Sequence, residues 1–168
     1  MAVRRILQLG DPALRAISQP IPPFEAGDVL TDLADTLIDF RQTHGFGRAI
    51  SAVQIGSAVR VILIDFEQFH YELIDPVIVW VAAEKIRMWD DCFSFPNLMV
   101  HLKRHIALGL KYRDREGKSH ELEAEGALAE LIQHEMDHLD GVLAVDHALD
   151  RDSFCTREEW TRRHRAAS

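Results

Sequence analysis

In the run Gln133-His134-Glu135-Met136-Asp137-His138, two imidazoles four residues apart bracket a glutamate. On a helix, that spacing projects both rings from one face, close enough to grip one metal ion. The glutamate is then held beside the metal, where it can take a proton from a water molecule. This is the pattern of a metal-dependent hydrolase, although a chain with nine histidines can also place two on a helix by chance or for solubility. The flanks supply the helix. Ala127, Leu128, Leu131, Ile132 and Leu139 form an apolar stripe at helical spacing, so the segment reads as a core helix. Both histidines lie on or beside its buried face, where an unpaired imidazole is costly and a ligated one is not. Asp140-Gly141 supplies the stop, glycine being able to take the left-handed cap conformation.

Two histidines leave a catalytic site incomplete, because such a site usually has three protein ligands and one open position. Upstream, Asp90-Asp91-Cys92-Phe93-Ser94-Phe95-Pro96 puts a cysteine in an aromatic, turn-like stretch between two strand-like runs. A thiolate suits a two-histidine partner; the plainer alternative is a small buried cysteine used as a hydrophobe. Cys155 lies in a polar tail with no partner pattern and reads as a bystander.

Three segments, in order, resemble the three motifs of the peptide deformylases: Gly-x-Gly-Leu-Ala-Ala-x-Gln, Glu-Gly-Cys-Leu-Ser and Gln-His-Glu-x-Asp-His-Leu. Here they read Gly47-Arg48-Ala49-Ile50-Ser51-Ala52-Val53-Gln54, Asp90-Asp91-Cys92-Phe93-Ser94, and Gln133 to Leu139. The resemblance runs from Ile6-Leu7-Gln8-Leu9-Gly10-Asp11-Pro12 to Gly141-Val142-Leu143-Ala144-Val145-Asp146. It implies an α+β domain with mixed or antiparallel sheets packed around a central metal-binding helix. It also implies that Cys92, His134 and His138 bind one divalent metal ion, typically ferrous iron, with zinc, nickel or cobalt as substitutes. By the same resemblance Glu135 is the general base. Gln54 and the backbone N–H of Phe93 are donors to the oxyanion formed when water attacks a formyl carbon. Without its flanking motif, Gln54 would read as an exposed polar residue at a strand start.

The third motif is intact and the first two depart from the family pattern. Ala49 replaces a glycine, adding a methyl where a peptide backbone would approach. Asp90 and Asp91 replace the glutamate and glycine before the cysteine, Phe93 replaces a leucine, and Met99 stands where many members carry an arginine. The substrate wall implied by the resemblance is Arg48, Ala49, Ile50, Ala127, Glu130 and Leu131. Family members generally place bulky apolar side chains at 127 and 130, the positions seven and four before His134, and an apolar one at 48. Arg48 and Glu130 either point to solvent or pair with each other, or else make the pocket more polar than usual, with a substrate other than formyl-methionine preferred.

The expected activity is removal of an N-formyl group, as formate, from N-formyl peptides at nascent-chain N-termini. The alternatives are an amidase acting on a specialised small N-formyl or N-acyl compound, and a catalytically impaired relative that keeps its metal. A metalloprotease is weaker still, since no third ligand follows the motif downstream. Cys-His-His accommodates iron and zinc alike.

Length and composition suit one small domain over 1–168: 168 residues, 47% hydrophobic, net charge −8. That charge argues against a nonspecific grip on nucleic acid or an anionic membrane. No apolar run approaches the roughly 20 residues of a membrane span, Met1-Ala2-Val3-Arg4-Arg5 leads into no signal-like segment, and two cysteines fit a reducing cytoplasm. Residues 11–25 read as extended chain punctuated by prolines, 28–43 as an amphipathic helix, and 59–65 as a core strand. Residues 73–81 read as a strand interrupted by Pro76, and 106–112 with 119–123 as a hairpin. Thr156 and Glu159 have the form of a capping box opening a terminal helix, whose run Arg162–Arg165 reads as a solvated face. Arg104 and Asp137 are placed to pair, fixing the metal helix against a sheet.

Overall fold

The structure, a computed structural model, describes residues 2–165. Its first helix, α1 (Gly27–His44), buries Leu30, Leu33, Leu37 and Phe40 at three- and four-residue intervals. It stops at Gly45, whose φ of 77° allows its N–H to reach back to the Arg41 carbonyl at 2.9 Å. Before it, the chain expected to be extended instead makes two 3₁₀ turns, Pro12–Arg15 and Pro23–Glu25. Each opens on a proline, whose fixed φ and missing N–H suit the first position of a turn.

After α1 come β1 (Ala49–Ser51), β2 (Val61–Phe66) and β3 (Phe69–Val81), then β4 (Lys85–Asp91), β5 (Leu98–His105), β6 (Ala107–Arg113) and β7 (Ser119–Glu125). The metal-motif helix α2 (Gly126–Leu139), the short β8 (Phe154–Thr156) and α3 (Arg157–Arg165) complete the described chain. The strands form two antiparallel sheets, ordered β1-β2-β3-β6-β7 and β4-β5-β8. With the helices, this is the expected α+β architecture.

Alternation along β2 explains why its run is apolar throughout. Ile62 and Ile64 face α2 with Leu128, Ala129, Ile132, Met136 and Leu139, while Val61 and Leu63 face α1 with Leu30, Leu33 and Leu37. The larger sheet is therefore covered on both sides, and α2 lies between it and the smaller one. Strand β3 is not broken at Pro76. It begins earlier than expected and crosses the proline through a bulge, with Asp75 at φ 49° and the register to β6 shifted between Ile74 and Val77.

Two expectations for the C-terminal region are revised. Cys155 is not in a polar tail; it is buried on β8, opposite Met99 of β5. Thr156 accepts from the Glu159 N–H at 3.2 Å, but the Glu159 carboxylate turns forward to Arg162 at 2.6 Å, so half of the capping box forms. Arg162, Arg163 and His164 are exposed, as a solvated face requires, and the Arg165 side chain lies outside the described residues. Among the described residues, no helix is long and apolar enough to cross a membrane.

Candidate metal centre and its cleft

The stripe that packs α2 against the sheet also fixes the azimuth of its polar residues. With Leu128, Ile132 and Leu139 held in the core, His134 and His138 project together toward the end of β4, where Cys92 follows directly. All three are buried, and one ligand atom from each lies within 4.8 Å of the others. Cys92 Sγ is 3.2 Å from His138 Nε2. A thiolate and two imidazoles at this span suit a tetrahedral ion with bonds of about 2.0–2.3 Å.

The tautomers agree with that use. His134 Nδ1 donates to Asp90 Oδ2 at 2.9 Å, which leaves Nε2 to face the cysteine. Asp90 also accepts from Arg104 Nη2 at 3.1 Å, and Arg104 Nη1 reaches Asp137. The expected Arg104–Asp137 pair is thus present, as half of a buried bridge that reaches the metal site. Burial works against the Asp90 charge, but His134 and Arg104 outweigh it and hold the carboxyl well below the usual range. Burial keeps the His138 imidazole far below its ordinary value; burial also opposes the His134 charge, but Asp90 and Cys92 outweigh it and raise that imidazole well above its ordinary value.

Glu135 points from the same helix into a cleft of about 140 Å³ that it shares with Gln54, Cys92, Phe93 and His134. Burial pushes its carboxyl up, which makes it a better proton acceptor near neutral pH. Ser51 Oγ donates to that carboxylate. Gln54 sits on a 3₁₀ turn, Ala52–Ile55, and is 1% exposed, which removes the reading of an exposed strand-start residue. Its Oε1 accepts from the Ser51 N–H at 3.0 Å, so Nε2 must be the atom turned to the cleft. There Nε2 has only long contacts, 3.4 Å to Ser94 Oγ and 3.6 Å to Cys92 Sγ. The Phe93 N–H finds no acceptor among the described residues, while its ring stacks 3.8 Å from Phe40 of α1.

The substrate wall implied by the resemblance divides. Arg48, Ala49 and Leu131 line the cleft. Arg48 pairs with Glu130, Nη1 to Oε1 at 2.6 Å. Ile50 does not face the cleft; it is fully buried in the α1 core, because adjacent strand residues point to opposite faces. Ala127 is exposed near the start of α2.

Sequence reasoning passed over several residues. Ser51 lay inside the first motif with no role given to it, and Asp90 was noted only as a replacement. Arg157 of α3 pairs with Asp91 and lies 3.9 Å over the ring of Phe46, a cleft residue. A cation thus braces this turn from the C-terminal helix, while Met99 packs as a buried apolar residue.

A buried cysteine–imidazole set with an unpaired donor and a raised carboxyl facing one cleft is the centre of a hydrolase that uses a metal ion. The chain belongs to the polypeptide deformylase family, whose model matches residues 3–153. A "Peptide deformylase" of Bartonella tribocorum is 34% identical over 154 residues, covering 88% of this chain and 85% of the relative. A "Peptide deformylase-like" protein of Brucella melitensis biotype 1 is 37% identical over 164 residues, covering 95% and 98%. Among solved structures, the peptide deformylase from Thermotoga maritima superposes with a TM-score of 0.81 at 30% identity, over 89% of this chain and 100% of that one. The enzyme from Synechococcus elongatus in complex with actinonin superposes at 0.80 and 31% identity, over 87% and 79%.

Proposed function

We propose that this site hydrolyses the N-formyl group of formylated peptides, releasing formate, in N-terminal processing of newly made proteins in the cytoplasm. The observation that carries the reading is the shared cleft: the Glu135 carboxyl, the oriented Gln54 amide, Cys92 and His134 line one space of about 140 Å³, and His138 offers a ligand atom within 4.8 Å of those of Cys92 and His134. Family membership favours peptides over a specialised small acyl compound. Two free thiols fit a reducing compartment.

Cys92, His134 and His138 would hold the ion, and ferrous iron is the reading that the family resemblance favours. When bound, such an ion supplies positive charge that polarises the formyl carbonyl and acidifies water. The chain's own groups do the rest. Glu135 takes a proton from the attacking water as its oxygen bonds to the formyl carbon. Gln54 Nε2 and the Phe93 N–H donate to the carbonyl oxygen as it gains charge; losing one such donor typically costs about 2.7–4 kcal/mol in the barrier. The C–N bond then breaks, and the proton held by Glu135 passes to the departing amine. Ser51 keeps the carboxylate aimed through both transfers.

The test is formate release from a formyl-Met tripeptide by protein loaded with ferrous iron under anaerobic conditions. Release should occur and should fall at least about 100-fold in Glu135→Gln at unchanged metal content. Folded, metal-loaded protein that releases no formate from any formyl peptide would refute the reading.

A further inference from the structure

A groove of about 530 Å³ lies between the two sheets, along α2, and shares no lining residue with the catalytic cleft. Its apolar part is Val77, Ile78 and Val81 of β3 with Met136 of α2, and Lys85 of β4 and Lys103 of β5 stand exposed at its side. β2 leaves β3 at Ile74, while β3 runs on to Val81 paired with β6 alone. Val77–Val81 is therefore an open edge, and such an edge presents backbone N–H and C=O groups to any strand laid beside it. β7, at one end of the same sheet, guards its own open edge with exposed Glu121, Glu123 and Glu125. The β3 edge has no such guard: Val77, Val79, Trp80 and Val81 are each at least 42% exposed. The charge beside it is also unbalanced. Arg87 stands opposite Lys103, two residues along from Lys85 opposite His105, so all four share one face. Like charges directly opposite each other destabilise a sheet. Among the described residues, Lys85, Arg87 and Lys103 pair with no acid, and the acids of the groove are taken, Asp137 by Arg104 and His147, Asp140 by Arg60.

We propose that this groove docks an extended acidic segment of a partner protein, added as a strand to the β3 edge with its carboxylates on Lys85 and Lys103. Each feature of the groove answers to one feature of that occupant. The open edge bonds a backbone, the exposed valines cover alternate apolar side chains, and the unpaired cations meet the acids between them. Net positive charge in the groove of a chain whose total is −8 selects against neutral and basic segments. A small anion would satisfy the lysines and leave the edge and its valines bare. A second copy could offer its acidic β7, but that contact is head-to-tail and does not close on itself. Docking here leaves the cleft open, because α2 turns Leu131, His134 and Glu135 to the cleft and Gln133, Met136 and Asp137 to the groove. The enzyme would thus be held by a partner while its site stays free for substrate.

The test titrates metal-loaded, full-length protein into a fluorescein-labelled peptide, acetyl-Asp-Val-Glu-Val-Asp-Val-Glu, and follows anisotropy. Saturable binding should appear, weaken with added salt, and exceed that of the same peptide with lysine for every acid by about tenfold or more. The double variant K85E/K103E, checked for folding by its thermal transition, should lose at least about tenfold in affinity. Two N-methylated peptides, one blocked at the odd and one at the even residues, test the strand independently of any variant. One should lose binding and the other keep it, since alternate N–H groups of a strand point to opposite sides. Formate release from a formyl-Met tripeptide should be unchanged at saturating acidic peptide. Absent binding, equal binding of the lysine peptide, full affinity in K85E/K103E, or indifference to both methylation patterns overturns the inference. So does competitive inhibition of formate release, which would put the peptide in the cleft. Self-association of the wild type that K85E/K103E abolishes would make a second copy the occupant and overturn it too. The anisotropy results do not depend on deformylation, so failure of that reading would leave this one standing.

Discussion

Replacing Asp90 by asparagine would test the view that a buried charge, and not shape alone, sets the metal helix. The substitution keeps size and an acceptor for His134 Nδ1 but removes the charge shared with Arg104. Both members of that pair are buried, with side chains 2% and 4% exposed. Removing one partner of a buried pair costs about 3–5 kcal/mol when the other is left alone. Arg104 keeps Asp137, so about 2–3 kcal/mol is expected for Asp90→Asn. At about 2–4 °C per kcal/mol for a chain of this size, the metal-free protein should melt about 4–12 °C lower in calorimetry. Metal affinity, measured by competition with a chromophoric chelator, should weaken by about 10–100-fold, because the carboxylate orients His134 and raises its basicity. The folded-state pKa of Asp90 is depressed, so its contribution is fully present above the ordinary carboxylate range, near pH 4, and lost only well below it. Asp140→Asn is the control: it breaks a surface pair with Arg60, worth about 0–1 kcal/mol, and should leave metal affinity unchanged. Equal metal affinity in wild type and Asp90→Asn would refute the reasoning.

Cys92→Ser should lower bound metal markedly, since a hydroxyl is a poor substitute for a thiolate; full metal content by elemental analysis would remove Cys92 from the ligand set. Gly47 has φ 143°, and a Cβ there would sit 2.8 Å from Phe93 Cζ. Gly47→Ala should displace Phe93, whose N–H is the second donor in the proposed mechanism, lowering kcat more than it raises KM; unchanged kcat would deny that coupling. Asp65 accepts from Arg41 at 2.5 Å and from His70, and Arg41 leads the interactions that hold its carboxyl below the ordinary value. Its stabilisation is present above about pH 4 and lost as pH falls through the depressed folded value, so Asp65→Asn should flatten the acid limb of a stability–pH curve. An identical acid limb in the variant would show that the link from α1 to β2 contributes nothing measurable.

What could be read from the sequence was what the chain writes locally. His134, Glu135 and His138 lie within two turns of one helix, and their partners in packing recur at its period, so the three side chains and the face they share were visible. Strand β2 announced itself by a β-branched run, but the start of β3 did not. The turn between them is Glu67-Gln68, with Glu67 at φ 51°, and lacks the glycine or asparagine that normally marks such a hairpin. The electrostatic frame was hidden for a different reason. Asp90 meets Arg104 across 14 positions and His134 across 44, Ser51 meets Glu135 across 84, and Arg157 meets Asp91 across 66. Those meetings depend on strand register. β4 and β5 align Asp90 with Val100 and Ile86 with Arg104, which places Asp90 and Arg104 on the same inner face. A slip of one residue would turn Asp90 outward and strip both His134 and Arg104 of their partner. Residue types alone do not encode that register. The burial of Met88, Val100 and Leu102 does, since only this alignment puts them under Leu14 and Leu143 together with the cysteine. The charge that orients His134 is therefore placed by apolar packing in a sheet that contributes no histidine to the site.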